Sequence, residues 1–211
     1  MPVKTWDFIP LDLEGAFLIS PFVQEDERGS FIKDYSSTMF EHNGITHPLL
    51  EVFYSTSKKD VIRGLHFQRI CPQAKLIRCI KGCIVDVIVD IRPSSTSFGK
   101  WESFELSQDN NLELFIPGYF AHGFMALENC IVAYKCNVEF LPEGDDGIRY
   151  DDKDLAIKWP IAGKYIISDK DNKLQTFSNY KHKINIGGVL IIYINNHVYV
   201  SVSLMVLYGI L

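Results

Sequence analysis

The sequence predicts an all-β domain, built as a jelly roll or small barrel, with a few short helices. Residues 1–183 consist of many short extended runs, rich in β-branched and aromatic residues, which are separated by turn-forming clusters. Helical periodicity is almost absent from this part of the chain. With 211 residues, of which 47% are hydrophobic and 13% aromatic, the chain can bury the core of one domain.

Eight strands and two short helices follow from this pattern in chain order. Each predicted strand ends near a cluster of Gly, Pro, Asn, Asp or Ser, because these residues favour turns that interrupt a strand. The predicted strands are Ser30–Tyr35, Leu50–Ser57, Lys75–Ile80, Cys83–Arg92, Lys100–Leu106, Leu112–Ile116, His122–Leu127 and Cys130–Phe140. Short helices are predicted at Ser37–His42 and around Asp152–Ala156. Eight strands at this spacing are typical of a jelly roll.

The fourth predicted strand carries two aspartates within a continuous apolar run. Asp86 and Asp90 lie four residues apart and therefore share one face of the strand, since side chains alternate between the two faces. Carboxylates at these positions indicate that this face looks into a polar cavity or into solvent.

Charge and cysteine content limit the partners and the compartment. The formal net charge of −5 argues against nucleic acid as the main partner, but it allows a local cationic pocket for a phosphorylated small molecule. The five cysteines are an odd number without C-x-x-C spacing, so we expect neither a zinc site nor a disulfide framework. Residues 1–13 contain charges and two prolines where an export signal would be apolar. These features predict a cytoplasmic protein.

The composition changes near the carboxyl end. Residues 184–211 contain no Asp, Glu, Lys or Arg, so we divide the chain into a jelly-roll domain, 1–183, and an uncharged apolar tail, 184–211. Val, Ile and Tyr dominate the tail, which predicts one or two strands or a poorly ordered segment. Membrane association of the tail is the less favoured alternative, because Asn185, Asn195 and Asn196 interrupt the apolar run.

Two histidines stand out as candidates for chemistry. His66 lies in the segment Arg63–Gln68, where regular alternation would put Arg63 on one face and His66 with Gln68 on the other. His122 lies in a second segment, Ile116–Phe124. Either histidine alone could be a structural, hydrogen-bonded side chain. No H-x-H pair of the kind used by metal-binding barrels is present, and an imidazole titrates near neutrality, so we favour acid–base chemistry without a metal.

Nine ordered motifs carry a family resemblance. They are Asp26-Glu27-Arg28-Gly29, Arg63-Gly64-Leu65-His66-Phe67-Gln68, Lys75-Leu76-Ile77-Arg78, Val87-Ile88-Val89-Asp90-Ile91-Arg92, Phe98-Gly99-Lys100-Trp101, Phe120-Ala121-His122-Gly123-Phe124, Tyr134-Lys135, Trp159-Pro160 and Ser168-Asp169-Lys170-Asp171. From about Ile19 to Asp171 the chain resembles the dTDP-4-dehydrorhamnose 3,5-epimerases. The resemblance implies a cupin-like jelly roll, usually a homodimer, that needs no metal or cofactor and inverts carbons of a nucleotide-linked 4-keto-6-deoxyhexose.

The resemblance also implies roles for four catalytic residues. His66 would be the base that removes a proton beside the C4 carbonyl, and Asp171 would accept a hydrogen bond from the second nitrogen of that imidazole. Tyr134 would return a proton on the opposite face of the sugar, and a neighbouring cation is expected to lower the pKa of this phenol. Lys75 would hold the developing enolate oxygen.

Substrate contacts are implied in the same way. Arg28, Arg63 and Lys170 would contact the diphosphate and the sugar, since cationic side chains match phosphate oxygens. His122 and Gln68 are further predicted contacts.

The chain departs from the family pattern at several positions. Glu51 and Phe53 stand where the family usually has Gln and Asn that help to hold the substrate, and Phe140 replaces a second family tyrosine. We expect Glu51 to contact a sugar hydroxyl or the ligand to sit differently, because a carboxylate would repel a diphosphate. These departures put thymidine specificity in doubt.

Three functions remain in view. The favoured one is a 3,5-epimerase that acts on a nucleotide-diphosphate 4-keto-6-deoxy sugar. A relative that inverts only one carbon would need the same base and acid. A non-catalytic binder of sugar nucleotides is disfavoured, because a binder has no use for His66, Lys75, Tyr134 and Asp171 together.

Overall fold

The computed structural model describes residues 3–186, 189–194 and 197–202 and consists mainly of antiparallel strands. The strands are β1 (Val3–Lys4), β2 (Asp7–Pro10), β3 (Phe17–Ser20), β4 (Phe22–Asp26), β5 (Gly29–Lys33), β6 (Glu51–Ser57), β7 (Ile62–Gln68), β8 (Lys75–Lys81), β9 (Cys83–Asp90), β10 (Trp101–Ser107), β11 (Glu113–Ile116), β12 (Phe120–Ala126), β13 (Cys130–Cys136), β14 (Asp145–Gly147), β15 (Val189–Ile194) and β16 (His197–Val202). The helices are α1 (Ser37–His42), α2 (Asp169–Asn172) and α3 (Phe177–Ile186), with a 3-10 turn at Pro142–Gly144.

Two large sheets pack face to face and form the jelly roll. One sheet has the strand order β10-β9-β12-β7-β14, and the other has the order β2-β3-β11-β8-β13-β6. Buried apolar side chains from both sheets, among them Ile77, Ile88, Phe124 and Val132, form one core between them. Burial of this apolar surface is the main force that holds the two sheets together. The predicted jelly-roll fold is confirmed.

The outer faces of both sheets are covered by other segments. On the six-stranded sheet, Phe40 of α1 packs edge-on against Trp6, Phe8 and Tyr35. On the five-stranded sheet, α3 packs through Phe177 and Tyr180, and the phenol of Tyr180 donates a hydrogen bond to the carbonyl of Ile91 at 3.0 Å. The amino-terminal strands β1, β4 and β5 form a separate three-stranded sheet.

All eight predicted strands are present, with ends that differ from the prediction by a few residues, and helix Ser37–His42 is confirmed. The helix predicted around Asp152–Ala156 is wrong, because this segment is a turn. The buried carboxylate of Asp152 accepts hydrogen bonds from the backbone N–H groups of Asp154, Leu155 and Phe177. A side chain that caps three backbone donors in this way favours a turn over a helix.

Strand β7 contains a β-bulge, and for this reason the predicted placement of Arg63 opposite His66 is wrong. His66 pairs with His122 on β12, whereas Arg63 pairs with Phe124, so β7 holds one residue more than β12 in this stretch. An extra residue reverses the alternation of side chains beyond it. Gly64 adopts a φ of 108° at this point, a backbone conformation that favours glycine. Arg63 and His66 therefore line the same cavity.

The carboxyl-terminal tail is described in part. Helix α3 continues across the predicted domain boundary at residue 183, and β15 pairs with β16 as two antiparallel strands. These strands agree with the strand interpretation of the tail, and residues 187–188, 195–196 and 203–211 lie outside the described part of the chain. In the described residues, no helix has the length and apolar character needed to cross a membrane. The division into a domain and a tail stays a prediction.

Candidate active site

A cavity of about 240 Å³ opens between the two large sheets. The five-stranded sheet contributes Arg63, His66 and His122 to its wall. The six-stranded sheet contributes Lys75 and Tyr134 from the opposite side. The fold thus brings both predicted histidines, the tyrosine, an arginine and a lysine to one cavity, although β7 and β13 belong to different sheets.

His66 and Asp171 form a hydrogen-bonded pair in this cavity. The distance from Nε2 of His66 to Oδ1 of Asp171 is 2.9 Å. The second carboxylate oxygen, Oδ2, accepts from the backbone N–H of Gly64 at 3.0 Å, and Ser168 caps the short helix α2 by accepting from the Asp171 N–H. The Asp171 side chain is 6% exposed and that of His66 is 31% exposed. The carboxylate is therefore fixed from several sides, while the imidazole reaches into the cavity.

The pKa of Asp171 is lowered from its ordinary value. Burial acts in the opposite direction and is the largest single influence, but the hydrogen bonds from His66, Gly64 and Ser168, together with the charge of His66, outweigh it. Asp171 is thus a carboxylate at neutral pH, able to accept from one imidazole nitrogen and to stabilise a positive charge on that ring.

A second histidine–carboxylate pair lies deeper. Nε2 of His122 is 2.8 Å from Oδ2 of Asp86, and both side chains are buried. Burial raises the pKa of Asp86, although His122 and Lys75 act against this shift. The polar-face interpretation agrees with the structure for Asp86, which contacts a histidine of the cavity wall, but it is wrong for Asp90, which is buried against Arg92 outside the cavity. Asp86 is a site residue that sequence reasoning did not assign. Its place within an apolar strand was the signal that could have identified it.

Tyr134 lies on β13, in the sheet opposite His66. Its ring stacks on Phe53 with a centroid distance of 4.6 Å and an interplanar angle of 10°, and it meets His122 edge-on at 6.2 Å. The Tyr134 hydroxyl is 3.4 Å from Oγ of Ser55. Burial raises the pKa of Tyr134, so the net shift is opposite to the predicted lowering. The charge of Arg63 does act in that direction, but it is the weaker influence.

Lys75 begins β8 and lies opposite Cys136 in the pairing with β13. Burial lowers the pKa of its ammonium group, and the nearby Cys136, Asp145 and Asp86 act against this shift. The amino group of Lys75 lines the cavity, where it can donate a hydrogen bond to a ligand oxygen.

Two further predicted cations line the cavity. The guanidinium of Arg63 is held by Oγ of Ser57 at 2.9 Å and by the carbonyl of Thr56 at 3.0 Å. Lys170 pairs with Asp145, and its side chain is largely exposed. Both cations therefore lie where an anionic ligand could approach from solvent.

Three other predicted contacts are placed differently. Gln68 lines the cavity, but its amide bonds Cys71, Glu139 and Leu141 and thereby holds two loops. Glu51 lies beside the cavity, where its carboxylate accepts from the Phe140 N–H at 3.2 Å. Arg28 is 87% exposed at the β4–β5 turn and pairs with Asp26. Contact of these residues with the substrate stays a prediction.

The cavity does not gather a set of metal ligands. Among the side chains that the structure describes, no group of three or more His, Cys, Asp or Glu residues comes together in a geometry that could hold a metal ion. Each cavity histidine instead contacts one carboxylate.

Comparison with known proteins places the chain in a family. The family model of dTDP-4-dehydrorhamnose 3,5-epimerase matches residues 10–179. The dTDP-4-dehydrorhamnose 3,5-epimerase of Methanothermobacter thermautotrophicus is 47% identical over 167 residues, which cover 78% of this chain and 90% of that protein. The Escherichia coli enzyme of the same name is 43% identical over 171 residues, 80% of this chain and 92% of that protein.

Solved structures agree with this placement. The 3,5-epimerase of Legionella pneumophila in complex with dTDP-4-keto-L-rhamnose superposes with a TM-score of 0.80 at 36% identity, covering 82% of this chain and 94% of that one. A 3'-monoepimerase of Streptomyces bikiniensis in complex with dTDP-quinovose gives a TM-score of 0.78 at 28% identity, covering 82% and 89%. The chain therefore belongs to the dTDP-4-dehydrorhamnose 3,5-epimerase family.

Proposed function

We propose that this protein is an isomerase that inverts C3 and C5 of dTDP-4-dehydro-6-deoxyglucose and so produces dTDP-4-dehydrorhamnose. The observation that carries the proposal is the position of His66 and Tyr134, which line one cavity from opposite sheets. Family membership and the dTDP-sugar ligands named for related structures support the substrate class.

The chemistry begins with proton removal beside a carbonyl. The C4 carbonyl acidifies the hydrogens on C3 and C5, because the electron pair left on carbon delocalises onto the carbonyl oxygen as an enolate. His66 takes the proton and becomes an imidazolium, which the 2.9 Å contact with Asp171 stabilises. Lys75 and His122 are close enough to the cavity to stabilise the negative enolate oxygen.

Inversion requires a proton from the other face of the ring. Tyr134 supplies that proton: its raised pKa keeps the phenol protonated at neutral pH until the enolate carbon accepts the hydrogen. Arg63 and Lys170 bind the diphosphate at the cavity entrance. These steps use only side chains of this protein, so we propose that no metal or cofactor takes part, and EDTA is expected to leave the rate unchanged.

The assembly and the compartment are also proposals. Strand β6 is an edge among the described strands, and Val52 and Tyr54 on its outer face are more than half exposed, together with the adjoining Leu50. An exposed apolar edge of this kind supports a homodimer interface. Light scattering should give twice the mass of one chain, and Val52→Lys should lower the measured mass towards that of a single chain.

Five unpaired cysteines support a reducing, cytoplasmic location.

The test is incubation with dTDP-4-dehydro-6-deoxyglucose in deuterated water, followed by NMR and mass spectrometry. Deuterium at both C3 and C5 supports the proposal. Deuterium at one carbon would identify a single-centre epimerase, the activity named for the Streptomyces bikiniensis structure. Absence of deuterium would favour a binder.

Replacement of His66 tests the assigned base directly. His66→Ala is expected to abolish exchange while the thermal unfolding transition persists, since this side chain lies in the cavity wall and not in the core. Exchange at the wild-type rate in His66→Ala would overturn the role of that histidine.

A further inference from the structure

The ring of Tyr134 is oriented by aromatic packing more than by hydrogen bonding. Phe53 lies directly opposite Tyr134 in the pairing of β6 with β13, and the two rings are stacked almost parallel. The only hydrogen bond described for the Tyr134 hydroxyl is that with Ser55, and its 3.4 Å length is at the weak end for two hydroxyl groups. His122 packs nearly perpendicular to the ring, with 6.2 Å between the ring centroids.

Phe53 is itself part of the cavity wall. Its side chain lies on the inner face of β6, and the residue is 39% exposed. The ring therefore stacks beside Tyr134 in the cavity wall and is not embedded in the core. A parallel stack leaves the phenol free to slide but opposes tilting, and a small tilt would move the hydroxyl away from the carbon that it must protonate.

We propose that Phe53 is a positioning residue for Tyr134: by stacking on the phenol it sets how often the enolate is protonated on the face opposite His66. This inference rests on the proposed function. After proton removal the enolate has two fates. Protonation by Tyr134 gives the inverted sugar, whereas return of a proton from the His66 imidazolium restores the original configuration. In deuterated water the second fate labels the recovered substrate whenever the imidazolium exchanges its proton for a deuteron before returning it.

The experiment measures the partition between these fates. Phe53→Leu keeps an apolar side chain but removes the flat ring, and Phe53→Tyr keeps the ring as a matched control. We expect Phe53→Leu to raise the ratio of deuterated substrate to inverted product about 3- to 10-fold, the scale of one aromatic pair. Phe53→Tyr should retain the wild-type ratio. Thermal unfolding of both variants checks that the fold persists.

Phe53→Leu in a protein that already carries Tyr134→Phe tests whether Phe53 acts through the Tyr134 hydroxyl or affects the cavity in another way. In Tyr134→Phe the hydroxyl that Phe53 positions is missing, so Phe53→Leu should change the partition ratio no further. An equal change in both backgrounds, or a rise in KM with an unchanged ratio, would overturn the inference. If Tyr134→Phe alone leaves product formation intact, the proposed function fails at the acid, and that result is distinct from failure of the Phe53 proposal.

Discussion

Asp171→Asn is the substitution that most directly tests the pairing of base and carboxylate. The two oxygens of Asp171 accept from Nε2 of His66 at 2.9 Å and from the Gly64 N–H at 3.0 Å. An asparagine of the same shape has only one acceptor oxygen, so its NH2 group must face either the Gly64 N–H or Nε2 of His66. In the second arrangement Nε2 can accept only if the ring proton moves to Nδ1, the nitrogen that is needed as the base. A buried donor without an acceptor costs about 1–3 kcal/mol. The variant is expected to fold with reduced stability.

The effect on catalysis is larger, because the carboxylate also stabilises the imidazolium that forms on His66. Two opposite charges at about 4 Å and an effective dielectric constant near 20 attract each other by about 4 kcal/mol. Since the His66 side chain is 31% exposed, solvent reduces this value, and about 2–4 kcal/mol is a fair range. We expect Asp171→Asn to lower kcat by a factor of about 30 to 1,000.

The assay is the rate of solvent deuterium incorporation into the ketosugar under saturating substrate. Asp145→Asn is the matched control, because it removes another cavity carboxylate that pairs with Lys170 and not with His66. Its effect should fall mainly on KM. If Asp171→Asn exchanges within threefold of the wild-type rate, the carboxylate does not stabilise the imidazolium, and the argument is refuted.

Stability provides an independent check with a defined sign. The pKa of Asp171 is lowered by folding, so its contribution is present above the ordinary value of 3.8 and is lost as the pH falls through the lower folded value. The difference in unfolding free energy between wild type and Asp171→Asn should therefore shrink between pH 7 and pH 2 in urea titrations.

Three further substitutions test separate features. Tyr134→Phe should slow product formation at least about 100-fold while substrate still gains deuterium. Burial raises the pKa of Glu113 well above its ordinary 4.5, so wild-type stability should fall above that pH, by up to about 1.4 kcal/mol per pH unit, and Glu113→Gln should remove this slope in urea titrations. Gly64→Ala would bring Cβ within 2.6 Å of the His122 carbonyl and should lower the melting temperature more than Gly29→Ala, where space is open.

The fold was predictable wherever local sequence decides the structure. Strand β9 is an example, because its run of β-branched residues between turns favours an extended conformation without help from elsewhere. Helix α3 was not predicted, since its order depends on contacts distant in sequence, such as that between Tyr180 and Ile91. The same holds for the turn at Asp152, which one of its hydrogen bonds ties to Phe177.

The sequence predicted which residues line the site, but not their burial, their pKa shifts or all of their contact partners. Motif resemblance identified His66, Tyr134 and Asp171, and the structure brings these three together around one cavity. The direction of the pKa shift of Tyr134 depends on how deeply the ring is buried between two sheets, and this depth has no local sequence signal. The partner of His122, Asp86, likewise becomes evident only once β9 and β12 are adjacent.

The bulge in β7 places the proposed substrate-binding residue Arg63 and the proposed base His66 on the same side of the strand. Arg63 and His66 lie on one side only because Gly64 adds a residue to the strand against Gly123, and an added Cβ at Gly64 would collide with that neighbour at 2.7 Å. Deleting a single residue here would restore regular alternation and turn the guanidinium to the outside, with every functional side chain still present in the chain. If Arg63 and His66 have the proposed roles, substrate binding and proton transfer therefore both depend on the number of residues in one short strand.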